Sequence, residues 1–286
     1  MAGACDHGRM RDVLNRPAAP PDDTVRYGPG PEHVASVWRP RFGALGTAPV
    51  VMFLHGGFWR ATYDRTHVGP LAVALAEAGF LVCAPEYRRT GGSAAAGGGW
   101  PATFDDIAAA VDVLPGVVSD LGGPPAAAGL VLGGHSAGGH LALWAAARHR
   151  LPADAPWPAP SRGSSPIRAV VALAAVSELA TAYQQRLGNG AAGALMGGSP
   201  ADHPDRYALA DPAGLLPIGV PLRVLHGSLD DVVPAAMSRS FADRARAGGD
   251  EVNWRELAGQ DHFDLIDPES AAWDTVRGAF GGPDRG

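Results

Sequence analysis

Apolar residues in this chain come in short bursts separated by glycine- and proline-rich polar stretches, and the bursts are of two kinds. Val50-Val51-Met52-Phe53-Leu54 and Phe80-Leu81-Val82-Cys83-Ala84 are continuous apolar runs, the pattern of strands buried on both faces of a parallel sheet. Between them Val68, Leu71, Ala72, Leu75 and Ala78 recur at helical spacing and stop at Gly79. Residues 50–84 therefore predict one βαβ unit, with the helix over 66–78. The alternation continues down the chain. Residues 100–114 read as a helix with Pro101 in its first turn, 167–176 and 222–225 as strands, 234–247 as a helix, 252–257 as a strand and 268–280 as a closing helix. Ahead of the first unit, Val25, Tyr27, Val34, Ser36, Val37 and Trp38 predict an opening hairpin interrupted by Gly28-Pro29-Gly30-Pro31.

Strands alternating with helices call for an α/β fold: a mostly parallel, twisted sheet with helices on both faces and ligand groups at the carboxyl ends of its strands. The reading is one domain over residues 25–286. Residues 1–24, with Pro17, Pro20 and Pro21, form an arm that is mobile unless it docks, and no chemistry is assigned to it. Residues 177–217 are too long for a simple crossover. With Tyr183, Leu187, Leu195, Met196 and Tyr207 they predict a small cap laid over the site. Residues 91–99 and 152–166 read as loops.

Composition narrows the chemistry. A formal charge of −6 with no basic stripe excludes nucleic acid and an anionic membrane surface as partners. Every one of the 23 basic residues is arginine, which removes a phosphate-loop lysine, a Schiff-base lysine and a Ser-Lys dyad at once. Only Cys5 and Cys83 are present, so no disulfide framework is expected. There is no signal-like leader and no run near the roughly 18 to 20 apolar residues of a membrane span. A cytoplasmic protein acting on a small molecule is the expectation. His55, His135, His140 and His226 fall at strand ends, but without a His-Glu-x-x-His pattern or a cysteine cluster no metal or other cofactor is expected.

The chemistry centres on Leu130-Val131-Leu132-Gly133-Gly134-His135-Ser136-Ala137-Gly138-Gly139. An apolar strand runs into a Gly-x-Ser-x-Gly turn and then into helix formers, the strand, sharp turn and helix of a nucleophile elbow. Chance alone would supply such a pentad in about one chain in four of this composition, so its context carries the case. Serine is a weak nucleophile at neutral pH and needs a histidine base held in the right tautomer by a carboxylate. Asp230 lies in the turn after the 222–225 strand, with Asp231 as its rival, and His262 in the loop after the 252–257 strand. Ser, Asp, His is the chain order of α/β-hydrolases. Donors for the developing oxyanion are expected from the N–H groups of Gly57, Phe58 and Ala137, because His55-Gly56-Gly57-Phe58-Trp59 follows a strand in the position of the second arm of such a hole. Trp59 and Tyr87 are candidates for contact with substrate, with core packing as the alternative for Trp59, and Arg88 and Arg89 either line the pocket and pair with a substrate carboxylate or form structural salt bridges.

The set His55-Gly56-Gly57-Phe58-Trp59, Gly134-His135-Ser136-Ala137-Gly138, His226-Gly227-Ser228-Leu229-Asp230-Asp231-Val232-Val233-Pro234 and Asp261-His262-Phe263 resembles, in order, the motifs of the kynurenine formamidase and bacterial esterase branch of the α/β-hydrolases. The resemblance covers roughly residues 24–280. It implies an HGGxW oxyanion segment and a Ser136, Asp230, His262 triad acting through an acyl-enzyme without cofactor. A short-acyl ester is the first substrate class it implies, and an aryl formamide the second. A non-catalytic binding protein on the same fold is the alternative of another kind.

Overall fold

The computed structural model of the protein describes residues 12–91, 97–158 and 166–281. Eight strands form one sheet: β1 (Asp23–Arg26), β2 (Val34–Trp38), β3 (Val50–Leu54), β4 (Leu81–Pro85), β5 (Leu130–His135), β6 (Ile167–Leu173), β7 (Leu222–Gly227) and β8 (Val252–Leu257). Their spatial order is β1-β2-β4-β3-β5-β6-β7-β8. The opening hairpin β1–β2 pairs antiparallel and β2 joins β4 antiparallel, while every pairing from β4 to β8 is parallel.

Period-2 side-chain alternation splits the central strands between two cores. Val50, Met52 and Leu54 of β3 face one apolar cluster together with α2 (Ala102–Asp120) and α3 (Ala137–Ala147). Val51 and Phe53 of the same strand face the other, packed by α1 (Gly69–Glu77) and α8 (Trp273–Ala279). All five residues of β3 and of β4 are buried, whereas edge strand β8 alternates half-buried and exposed positions. Cys83 sits in β4, wholly buried, and burial pushes its thiol up to about 12. Cys5 lies outside the described residues.

Three segments refine the expected picture. The closing helix spans only Trp273–Ala279, because the Ser270 hydroxyl donates to the Asp264 carbonyl and accepts from the Ala272 amide, holding the preceding residues in turns. The 177–217 insertion folds as α4 (Leu179–Gln184), α5 (Leu187–Met196) and α6 (Pro204–Ala210), followed after α7 (Ala235–Ala247) by no further insertion before β8. It is not a detached cap: Leu179, Ala182, Ala191, Ala192, Leu195 and Met196 belong to the main apolar core. The indole of Trp144 donates to the Leu209 carbonyl and the ring of His140 to that of Ala210, so the segment is fastened to α3. The arm is docked where it is described. Asp12–Asn15 form a 3-10 turn with Val13 buried, and the Arg16 guanidinium grips Asp267 through both carboxylate oxygens at 2.6 and 2.9 Å.

None of the described helices is long and apolar enough to cross a membrane.

Candidate active site

The elbow is built by close backbone approach. A Cβ on Gly134 would lie 2.2 Å from the Gly138 carbonyl oxygen, and one on Gly138 would lie 2.0 Å from that of Leu54, so both positions exclude any side chain. Between β5 and α3, Ser136 is forced to φ 56° and ψ −119°, a conformation that L residues rarely adopt. Its amide donates to the Leu173 carbonyl and its carbonyl accepts from His140 and Val176, bonds that fix the turn against β6 and α3.

The segment after β3 lies against this turn. A Cβ on Gly56 would meet the Ser136 Cβ at 3.2 Å. Gly57, Phe58 and Trp59 follow with φ of 107°, 52° and 55°, three left-handed residues in succession. Such a run costs energy at the two aromatic positions and persists only where its surroundings impose it. Here the imposition is visible: the Trp59 carbonyl accepts from the amide and hydroxyl of Thr90, and the Arg60 amide closes back on the Gly57 carbonyl at 3.0 Å. The amides of Gly57, Phe58 and Ala137 donate to no acceptor among the described residues.

The carboxylate and imidazole come from the turns after β7 and β8. Asp230 Oδ2 stands 2.6 Å from His262 Nδ1, and its Oδ1 accepts the amides of Val232 and Val233 at 2.9 and 2.8 Å. A second imidazole stands beside the same oxygen: His226 Nε2, which donates to the Val233 carbonyl at 2.8 Å, lies 3.0 Å from Asp230 Oδ2. Burial alone would raise the Asp230 carboxyl, but the hydrogen bonds from His226 and His262 outweigh it and hold the group well below the usual carboxylate range. Nδ1 of His262 is thus the donor to Asp230, which leaves Nε2 as the basic nitrogen. His135 ties this loop to the elbow: its Nε2–H donates to the His262 carbonyl at 2.9 Å. Burial, helped by the neighbouring His262, keeps the His135 ring neutral by lowering it well below its ordinary value.

Ser136 and His262 line one cavity of about 500 Å³, with Gly57, Phe58, Tyr63, His67, His135, Asp231, Val232, Phe263 and Leu14. The paired carboxylate is Asp230, while its rival Asp231 is on the cavity wall. Ala137, the first residue of α3, is buried directly behind the serine.

Two expected substrate contacts are corrected. Trp59 is 1% exposed and packs edge-on against His140 at 5.2 Å between ring centroids, away from the cavity lining. Its left-handed backbone turns the indole into the core. Tyr87 is wholly buried, stacks on His55 at 4.3 Å and donates its hydroxyl to the His55 carbonyl at 2.8 Å, supporting the loop from behind. Neither reaches the cavity. Arg88 holds Asp106 through both carboxylate oxygens and Arg89 reaches Glu32 and Glu86, so both are structural. The 91–99 loop falls partly outside the described residues.

Sequence reasoning missed Leu14, Tyr63, His67 and Phe263 as cavity residues. Phe263 alone carried a signal, as the neighbour of His262. His67 is buried and pushed down to about 4 by burial and the adjacent His55, so it faces the cavity as a neutral ring. Among the described residues no group of three or more His, Cys, Asp or Glu is placed to hold a metal.

A mostly parallel sheet with a strained serine elbow after its central strand, and an Asp-His pair in the turns after the last two strands, defines an α/β-hydrolase fold. More narrowly, residues 40–244 match the BD-FAE family model, and the chain belongs to that family. Among curated proteins it is similar to the esterases LipQ and LipC of Mycobacterium tuberculosis, 30% identical over 84% of this chain and 28% over 85%. It spans only 57% and 60% of the length of those relatives. Solved structures of like fold include a truncated carbohydrate esterase from gut microbiota, with a TM-score of 0.73 and 18% identity over 92% of this chain and 99% of that one. Another is a propionate-bound esterase from Thermogutta terrifontis, with a TM-score of 0.67 and 20% identity over 90% of each chain.

Proposed function

We propose that the protein is a serine hydrolase that cleaves short-acyl carboxylic esters. The observation that carries this reading is the shared cavity: Ser136 on its strained turn and His262, with Nδ1 committed to Asp230, border the same space. His262 Nε2 takes the Ser136 proton as the hydroxyl oxygen bonds to the ester carbonyl carbon. The carbonyl oxygen becomes an oxyanion, for which the unspent amides of Gly57, Phe58 and Ala137 are the donors, each worth roughly 2.7 to 4 kcal/mol in comparable sites. Collapse of that intermediate breaks the C–O bond, and the leaving alcohol takes the proton from the His262 imidazolium. Water, deprotonated by the same nitrogen, then frees the acid and restores Ser136.

The esterase relatives support the ester over the formamide. So does the cavity wall, which among the described residues carries the acidic side chain of Asp231 and no arginine. Arg88 and Arg89, the candidates for holding a substrate carboxylate, are spent on Asp106, Glu32 and Glu86.

A fluorophosphonate probe tests the reading. Labelling of the protein at Ser136, abolished in Ser136→Ala, together with release of p-nitrophenol from p-nitrophenyl acetate, is the expected result. Absence of both labelling and hydrolysis would establish a non-catalytic binding protein instead. Faster turnover of N-formylkynurenine than of p-nitrophenyl acetate under one protocol would replace the ester with the formamide.

A further inference from the structure

The N-terminal segment bears on which substrates fit. It lies ahead of residues 40–244, where the family model matches, and yet Leu14 lines the same cavity as Ser136 and His262. Three contacts hold it there. Val13, at 2% exposure, is sunk in the apolar cluster that includes Leu265 and Ile266. The 3-10 turn that carries Leu14 packs on the 3-10 turn Arg65–Val68, which presents His67 to the cavity. Arg16 closes the attachment through its two-point grip on Asp267, five residues beyond His262 in the stretch that follows the catalytic loop.

A bidentate guanidinium–carboxylate pair fixes orientation as well as distance, and the buried Val13 anchors the other side of Leu14. The leucine is therefore held as a wall and does not hang free. Its isobutyl group faces a cavity whose other walls are Phe58, Tyr63, Phe263 and Val232.

Resting on the hydrolase reading above, we propose that Leu14 is a specificity-determining residue: the docked N-terminal strap sets how much acyl or alkoxy chain the cavity admits. Cutting the side chain back to a methyl opens room for two to three further carbons. Replacing it with an indole takes such room away. Discrimination of about tenfold or more per carbon is within reach of an apolar pocket wall.

The experiment measures kcat/KM for p-nitrophenyl acetate, butyrate, hexanoate and octanoate, and for acetate esters of ethanol, butanol and hexanol, with fluorophosphonate labelling as the count of active sites. In Leu14→Ala the ratio of the long to the short member rises about tenfold in one of the two series. In Leu14→Trp it falls in the same series, and Arg16→Gln, which releases the strap, moves it in the direction of Leu14→Ala. Proteins that label fully, hydrolyse esters and keep the wild-type ratios in all three variants would overturn the strap as a determinant and leave the hydrolase reading standing. A wild type that neither labels nor hydrolyses any ester would overturn the hydrolase reading, and this inference with it.

Discussion

The two halves of the site are held by different physics. Around Ser136 the geometry is backbone geometry: glycines that admit no Cβ, a left-handed serine and three left-handed residues after β3. Around His262 it is side-chain geometry. One carboxylate stands against two imidazoles and accepts from two amides, and His135 binds the loop from below. A backbone half tolerates almost no substitution at its glycines but depends little on pH through Ser136 itself. A side-chain half accepts substitution without collapse, at the expense of its chemistry.

The largest effect expected falls on chemistry. Ser136→Ala should lower turnover by roughly 10⁵ to 10⁶ while unfolding in urea stays that of the wild type, since the turn is fixed by main-chain bonds. Retention of more than a hundredth of the wild-type rate would break the assignment. Asp230→Asn should follow at about 10⁴, because an amide nitrogen facing Nδ1 favours the wrong tautomer. Asp231→Asn, measured beside it, should cost less than tenfold, and the reverse ranking would transfer the role to Asp231.

The next effect is on stability against pH. Burial pushes His67 and His140 down to about 4 and His135 well below its ordinary value, so all three are neutral in the fold. In the unfolded chain they bind a proton near 6.5. Between those values the unfolded state holds more protons, so stability falls as pH falls, by about 1.4 kcal/mol per unit for each ring and up to roughly 4 for the three. Asp230, held low, contributes stability above the ordinary carboxylate value and loses it only on further acidification. Urea midpoints measured at pH 8, 6 and 5 should therefore drop before Asp230 loses its contribution, and a flat profile to pH 5 would show that these rings are not buried neutral.

Gly138→Ala should cost about 3 kcal/mol of stability through overpacking. The added carbon would stand 2.0 Å from the Leu54 carbonyl oxygen, which belongs to a central strand and has nowhere to move. A urea midpoint within error of wild type would mean that the elbow is less tightly built than its geometry shows.

The same division explains what could be read from residues alone. The elbow was legible because its constraint is written as glycines at fixed spacing. Strand β8 was legible over residues 252–257 because alternation survives at an edge. Asp230 could be preferred over Asp231 from its closeness to the strand end, but its second partner His226 could not be found, since a contact four residues along a turn depends on the turn's shape. Trp59 was misplaced because no periodicity tells which way a side chain faces in a left-handed run, and Tyr87 because it lies past the end of β4, where strand alternation no longer applies. Leu14 was invisible for a different reason: the ion pair that docks it joins residues 251 positions apart.

The contact between the insertion and the loop after β3 has a consequence for heating. Gly188 sits so close to the Phe58 ring that a Cβ there would lie 2.6 Å away, and Arg60 donates to the Gly188 carbonyl. The loop thus leans on the first turn of α5, where Gly188, Asn189 and Gly190 depart from helical geometry. Warming the protein should silence it before its far-ultraviolet circular dichroism changes, so an inactivation temperature and a melting temperature will be two separate properties of this molecule.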